Sequence, residues 1–302
     1  MSAPDDNDPV PGDPAACAGV ERIILPRTSD IGGFQVRRAL PAVGRRMIGP
    51  FIFFDEFGPH EFLLGQGMDV RPHPHIGLST VTFLFDGAIT HRDSLGVVQD
   101  IKPGDVNVMT AGRGITHSER SPAAERTGGR QIFGVQAWTA LPQRLEECDP
   151  AFAHTSVADL PRIESSGKRV RLIMGQAYGE DSPVETVHPT LYAECVLAPG
   201  AVLPIDPDYE ERGLYVISGA IDIAGTRFEA GRLLVLKSGD RISVLALSNA
   251  RLMLLGGEPM DGPRYVWWNF VSSRKERVDQ AAEDWRQNRF APVPGETEFI
   301  PL

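Results

Sequence analysis

The stretch Arg71-Pro72-His73-Pro74-His75-Ile76-Gly77, with Gly67 before it and Gly87 after it, has a counterpart in the other half of the chain. Five residues separate Gly67 from His73, and five separate Gly200 from Asp206-Pro207-Asp208, which Gly219 follows. A second pair keeps the same order: Gly104-x5-Thr110-x-Gly112 and Gly231-x5-Lys237-x-Gly239. The shift is 133 residues from His73 to Asp206 and 127 from Gly104 to Gly231. Either match alone is weak, because Gly and Pro are frequent. Two matches in order point to a duplicated domain.

Around these motifs the chain alternates short apolar runs with Gly, Pro, Asp and Asn. Such runs include Met47 to Phe54, Thr80 to Phe85, Gln131 to Trp138, Val170 to Met174 and Thr190 to Leu197. Leu214 to Ile217, Leu233 to Leu236 and Arg251 to Leu255 continue the pattern. Short apolar runs bounded by turn residues are the mark of an antiparallel sandwich or barrel. The expected fold is all-β, with two antiparallel β-barrels and one short helix near the C-terminus. That helix is expected over 274–287. Ser273-x-x-Glu276 has the form of a capping box, and Val278, Ala281, Ala282 and Trp285 follow at helical spacing. A length of 302 residues favours two domains. The expected division is a disordered, Pro- and Asp-rich tail over 1–18, one barrel over 19–150, and a second barrel with the helix over 151–302.

Composition narrows the function. Asp and Glu outnumber Lys and Arg by 40 to 30, for a formal net charge of −10. Such a chain repels phosphate backbones, so direct nucleic-acid binding is not expected. Cys17, Cys148 and Cys195 are odd in number and far apart, which suits free thiols in a reducing compartment. The N-terminus lacks the basic start and apolar centre of a signal peptide, and no apolar run is long enough to span a membrane. A cytoplasmic protein without a membrane partner is expected.

The chemistry is concentrated in two pairs. On a strand, residues i and i+2 point to the same face, about 6 to 7 Å apart. His73 and His75 therefore present two imidazoles side by side, and His117 with Glu119 repeats the spacing. If the two segments are neighbours, four ligands meet inside one barrel. A lone His-x-His is more often chance than a metal site, but two such pairs in one β-rich half are not easily accidental. His60, His154 and His188 have no paired partner and read as ordinary residues. His91, in Thr90-His91-Arg92-Asp93-Ser94, falls where a hairpin turn is expected and reads as turn or rim structure.

These segments resemble the pirin family of the cupin superfamily. The matching stretches are Arg71 to Gly77, His91 to Ser94, Pro103 to Asp105, Thr110 to Glu119 and, less closely, Phe53 to Pro59. The resemblance is dense over about residues 45–140 and looser beyond. It implies a bicupin with one iron in the N-terminal barrel, held by His73, His75, His117 and Glu119. The general cupin pattern is altered in the pirin manner: Ser79 or Thr80 stands where a glutamate is usual, and Ile115 stands where the last histidine is usual. In the second barrel Asp206 and Asp208 take the place of the two histidines, Arg212 falls near the glutamate position, and Ile242 replaces the last ligand. That barrel is expected to hold no transition metal, with a weak Ca²⁺ or Mg²⁺ site as the alternative.

Nitrogen and oxygen ligands of this kind suit Fe, Mn, Co, Ni, Cu or Zn, and affinity order alone favours Cu or Zn over Fe. Fe²⁺ is what the resemblance implies. Three functions stay open. One is an iron-dependent dioxygenase that opens a small aromatic substrate, a flavonol such as quercetin, with O₂ and release of carbon monoxide. In it Glu119 doubles as the base, and Phe53, Phe83, Met109 and Trp138 are candidates for the pocket wall, although barrel core is the commoner role for each. Another is a redox-sensitive binding protein whose metal state alters affinity for a protein partner. The third is a structural ion. Two covalently joined barrels are consistent with a monomer.

Overall fold

The computed structural model describes residues 18–30, 35–127 and 130–302. The tail expected over 1–18 lies, apart from Ala18, outside the described residues, as does Cys17. The first half runs through β1 (Val20–Ile24), β2 (Arg27–Asp30), β3 (Gln35–Leu40), β4 (Phe51–Phe62), β5 (Asp69–His75) and β6 (Leu78–Asp86). It continues through β7 (Ile89–Asp93), β8 (Val98–Ile101), β9 (Val106–Thr110), β10 (Ile115–Arg120) and β11 (Arg130–Ala140). The second half opens with β12 (Ala151–Thr155), β13 (Arg162–Ser165), β14 (Lys168–Met174), β15 (Gln176–Ala177), β16 (Glu180–Asp181) and β17 (Thr190–Leu197). Then come β18 (Val202–Ile205), β19 (Glu211–Ser218), β20 (Ala220–Ile223), β21 (Thr226–Glu229), β22 (Arg232–Leu236), β23 (Ile242–Ala246) and β24 (Ala250–Gly257). A short hairpin, β25 (Tyr265–Trp267) with β26 (Phe270–Ser272), leads into α1 (Lys275–Arg286).

The duplication inferred from glycine spacing is visible as topology. One seven-stranded sheet has the order β12-β9-β6-β11-β4-β3-β2, and a four-stranded sheet the order β5-β10-β7-β8. The other pair reads β1-β22-β19-β24-β17-β14-β13 and β18-β23-β20-β21. Position by position, β5 corresponds to β18, β10 to β23, β6 to β19 and β9 to β22. Only the outermost strand departs from chain order. β1 opens the first half yet lines β22 of the second, while β12 opens the second half yet lines β9 of the first. Each repeat has given its leading strand to the other.

A cut at residue 150 therefore separates the repeats but not the compact units. One unit combines the residues through Arg27 with Arg37–Phe53 and Ala158–Pro259. The other combines Thr28–Val36, Phe54–Val157 and Met260–Leu302. The C-terminal helix thus belongs with the histidine-bearing barrel and not, as its place in the chain suggests, with the second. Its apolar stripe, Val278, Ala281, Ala282 and Trp285, is buried against Ile76 and Phe270.

A buried ion pair ties this C-terminal segment down. Arg264, with no exposed side-chain surface, lies 2.8 Å from Glu146 through Nε and donates from Nη2 to the Leu141 carbonyl and to Asp261. The Glu146 carboxylate also accepts from the Ser272 hydroxyl and from the Ser273 amide and hydroxyl. Those bonds explain why the expected capping box is absent. Ser273 is committed to Glu146, the helix N-cap is Arg274 in extended conformation, and no side chain caps it.

Removing one member of a buried pair leaves the other charge uncompensated, at a cost of about 3–5 kcal/mol. Arg264→Ala is expected to lower unfolding stability by that order, read as a shift of the urea midpoint. A midpoint equal to the parent's would show that the pair does not anchor the segment.

Candidate metal centre

β5 and β10 form an antiparallel ladder in which His117 lies opposite His73 and Ile115 opposite His75. Strand parity brings His73, His75 and His117 to one face, and all three are buried. Their ring centroids lie 4.4 Å apart for His73 and His117, and 5.0 Å apart for each of the other two pairs. One nitrogen from each ring can be chosen so that all lie within 4.8 Å of one another. His75 Nε2 and His117 Nε2 are 3.1 Å apart. His73 Nδ1 donates to the Arg71 carbonyl at 2.9 Å, which leaves its Nε2 lone pair for a ligand.

Burial holds these rings neutral. It pushes His73 down to about 4, and His75 and His117 well below the usual imidazole range, with the neighbouring rings adding to the effect. Neutral imidazoles converging in a buried cluster are the donor set that divalent transition metals take, so the residues fit a bound ion.

Glu119 sits on the same face, one step further along β10. The ladder slips between His117 and Glu119, and Glu119 pairs with Val70. Its carboxylate Oε1 accepts from Gln136 Nε2 at 2.8 Å and, more weakly, from Thr82 Oγ1 at 3.5 Å. Burial raises its proton affinity, and the two donors oppose that rise. The three histidines form the close cluster, and Glu119 stands beside it in a polar cradle.

The four residues expected along the pocket separate. Trp138, Thr80, Met109 and Phe152 are directly opposite one another across β11, β6, β9 and β12, so they share a face. That face looks toward the histidines, because the Trp138 ring lies edge-on to His75 at 5.1 Å and Phe152 stacks on His91 at 4.5 Å. Trp138 and Met109 are therefore on the metal side. Phe83 is not. It alternates with Thr82, whose hydroxyl reaches Glu119, and its ring meets Phe85. Parity counted from His75 fails because the strand breaks at Gly77, which has φ +68 and where a side chain would collide with the Val271 carbonyl. Phe53 belongs to the other compact unit and carries the Arg38 guanidinium 4.3 Å over its ring.

His91 corrects the turn assignment. It lies within β7, buried, with Nδ1 3.4 Å from His117 Nδ1 and Nε2 2.9 Å from Asp93 Oδ2. The hairpin bend comes later, after Asp93, whose other oxygen accepts from the Leu95 and Val97 amides. The signal was present in the sequence: His91-x-Asp93 has the same i, i+2 spacing as the two ligand pairs.

The second barrel shows what the same frame does without these side chains. Ile205 pairs with Ile242 as His75 pairs with Ile115, which places Leu203 at the position of His73 and Val244 at that of His117. All are buried hydrocarbon in one core cluster. Asp206 and Asp208, expected to replace the histidines, lie just beyond the end of β18, and Asp206 pairs with Arg241.

In the metal-free protein, His73 should make stability depend on pH. Between 6.5 and about 4 the unfolded ring is protonated while the folded one is not. Stability is thus retained above 6.5 and falls as the pH drops toward 4. Melting in the presence of a chelator should show this slope, and His73→Phe should make it shallower. An unchanged slope would mean that the buried ring is already charged.

With this geometry in place, comparison with known proteins is direct. The Pirin family pattern matches residues 33–139, and that of the Pirin C-terminal cupin domain matches 192–291. A "Pirin-like protein" of Caulobacter vibrioides is 46% identical over 94% of this chain and 99% of its own length. The crystal structure of a quercetin 2,3-dioxygenase from Acinetobacter baumannii superposes with a TM-score of 0.86 at 34% identity, covering 93% of this chain and 94% of that one. The fold is also that of the bacterial pirin YhhW from Escherichia coli in complex with nickel(II), with a TM-score of 0.61 at 18% identity over 79% and 99% of the two chains. No helix among the described residues is long and apolar enough to cross a membrane. Duplicated barrels, a three-histidine cluster in the first of them, and close similarity along nearly the whole chain place this protein in the pirin family.

Proposed function

We propose that the chain is an iron-dependent dioxygenase that opens a flavonol such as quercetin with O₂. The observation that carries this reading is the buried cluster of three neutral imidazoles flanked by an aromatic wall. The similarity to an Acinetobacter protein named quercetin 2,3-dioxygenase supplies the substrate class. His73, His75 and His117 would hold the ion, with Glu119 as a fourth ligand. The ligand types also accept Mn, Co, Ni, Cu or Zn, and a related pirin fold binds nickel. Held there, such an ion would supply Lewis-acid and redox chemistry for the reaction of the substrate with O₂.

The chain's own residues do the rest. Glu119, buried beside the cluster, is the base for the substrate hydroxyl. Gln136 and Thr82 fix one of its oxygens and thereby orient the other. Trp138, Met109 and Phe152 offer a flat apolar surface for an aromatic ring and keep water from the reacting atoms.

The test is to load the protein anaerobically with Fe²⁺, add quercetin and air, and follow loss of flavonol absorbance. Turnover is expected, with none in His117→Ala. Glu119→Gln should cut turnover about 10²-fold or more. Full turnover in iron-bound Glu119→Gln would remove the base role. No turnover by an iron-loaded parent would shift the reading to a redox-sensitive binding protein.

A further inference from the structure

His91 and Asp93 are held by more than the hairpin requires. Asp93 is fully buried. Its Oδ1 is occupied by the Leu95 and Val97 amides at 2.9 and 3.2 Å, which leaves Oδ2 facing His91 Nε2 at 2.9 Å. The ring plane of His91 is set from one side by Phe152, stacked at 4.5 Å with 23° between planes. Its remaining nitrogen, Nδ1, points at His117 Nδ1, 3.4 Å away. The ladder explains the alignment, because β10 pairs His117 with Asp93 and Glu119 with His91.

From this geometry we infer that Asp93 and His91 are positioning residues that set which nitrogen of His117 is free to bind metal. A carboxylate only accepts, so His91 donates from Nε2. With Nε2 donating to Asp93, His91 Nδ1 is placed to accept, and His117 donates its own Nδ1 proton to it. That leaves the lone pair of His117 on Nε2, the atom 3.1 Å from His75 Nε2 at the centre of the cluster. Carboxylate, histidine and ligand histidine form one chain of hydrogen bonds in which each tautomer dictates the next. The inference rests on the metal reading and assigns roles to two residues that touch neither metal nor substrate.

Asp93→Asn tests it with little change of shape. The new amide oxygen can still accept from Leu95 and Val97, but the amide nitrogen faces His91 Nε2 as a donor. The chain then runs in reverse, and His117 carries its proton on Nε2, where the ion should sit. Co²⁺ affinity, measured by competition with a chromophoric chelator, is expected to fall about 10- to 100-fold. His91→Phe, which keeps the stack on Phe152 but removes the acceptor, should lose affinity to a similar degree. In the His117→Ala background Asp93→Asn should change affinity less than twofold, because its effect passes through that ring. Parent-like Co²⁺ binding in both single variants would overturn the inference. So would an equal loss from Asp93→Asn with and without His117. A parent protein that binds no Co²⁺, Ni²⁺ or Fe²⁺ would instead overturn the metal reading itself.

Discussion

Three buried neutral imidazoles, with a nitrogen of each within 4.8 Å of the others, are the constraint around which the first barrel is arranged. His75 Nε2 and His117 Nε2 face each other at 3.1 Å, where one proton can serve both and a second cannot. Burial has removed the water that would otherwise solvate those lone pairs, so a shared cation is their natural partner. Such a cluster survives only if its strands cannot drift apart. Their outer faces are strapped accordingly. Ser118 and Arg120 alternate with His117 and Glu119, and both bond Glu296 of the C-terminal segment. The Ile300 amide donates to the Pro72 carbonyl, next to His73. The segment that follows α1 thus braces β5 and β10 from behind.

The second barrel solves the same problem without an ion. Leu203, Ile205 and Val244 fill the space by packing, and hydrocarbon needs no partner. The second barrel also buries a charged side chain. Arg212 is fully buried and donates to the carbonyls of Asp206, Lys237 and Asp240, in the loops around β18, β22 and β23. The guanidinium, its donors spread over three loop carbonyls, ties these loops together from within. The contrast separates fold from function: the sheets are shared, and the chemistry belongs to the strand positions that were changed.

Much of this was legible from residue spacing, for a physical reason. Side-chain alternation on a strand is strict, so His73-x-His75 and His117-x-Glu119 place pairs on one face whatever the rest of the barrel does. Glycine spacing survived duplication because tight turns with positive φ at Gly104 and Gly231 tolerate few other residues. What was not legible depended on events between strands. The break at Gly77 resets the side-chain parity between His75 and Phe83. Local pattern places a turn at His91 because Asp93-Ser94-Leu95-Gly96 does turn, two residues later. Ser273 had the pattern of a helix cap, but a glutamate distant in sequence claims its hydroxyl. The exchange of β1 and β12 leaves no trace in local pattern, since either strand can pair with either barrel edge.

The inner wall opposite the histidines is itself divided. One row across the seven-stranded sheet is Trp138, Thr80, Met109 and Phe152; the next is Gln136, Thr82, Asn107 and His154. The first row is largely apolar and meets His75 and His91; the second is polar and meets Glu119. His154 Nδ1 and Asn107 Oδ1 bond each other at 2.6 Å, while Asn107 Nδ2 is buried without a hydrogen-bond partner. The two-residue period of the strands thus does more than gather the histidines: on the facing sheet it places the apolar row and the polar row side by side on one wall.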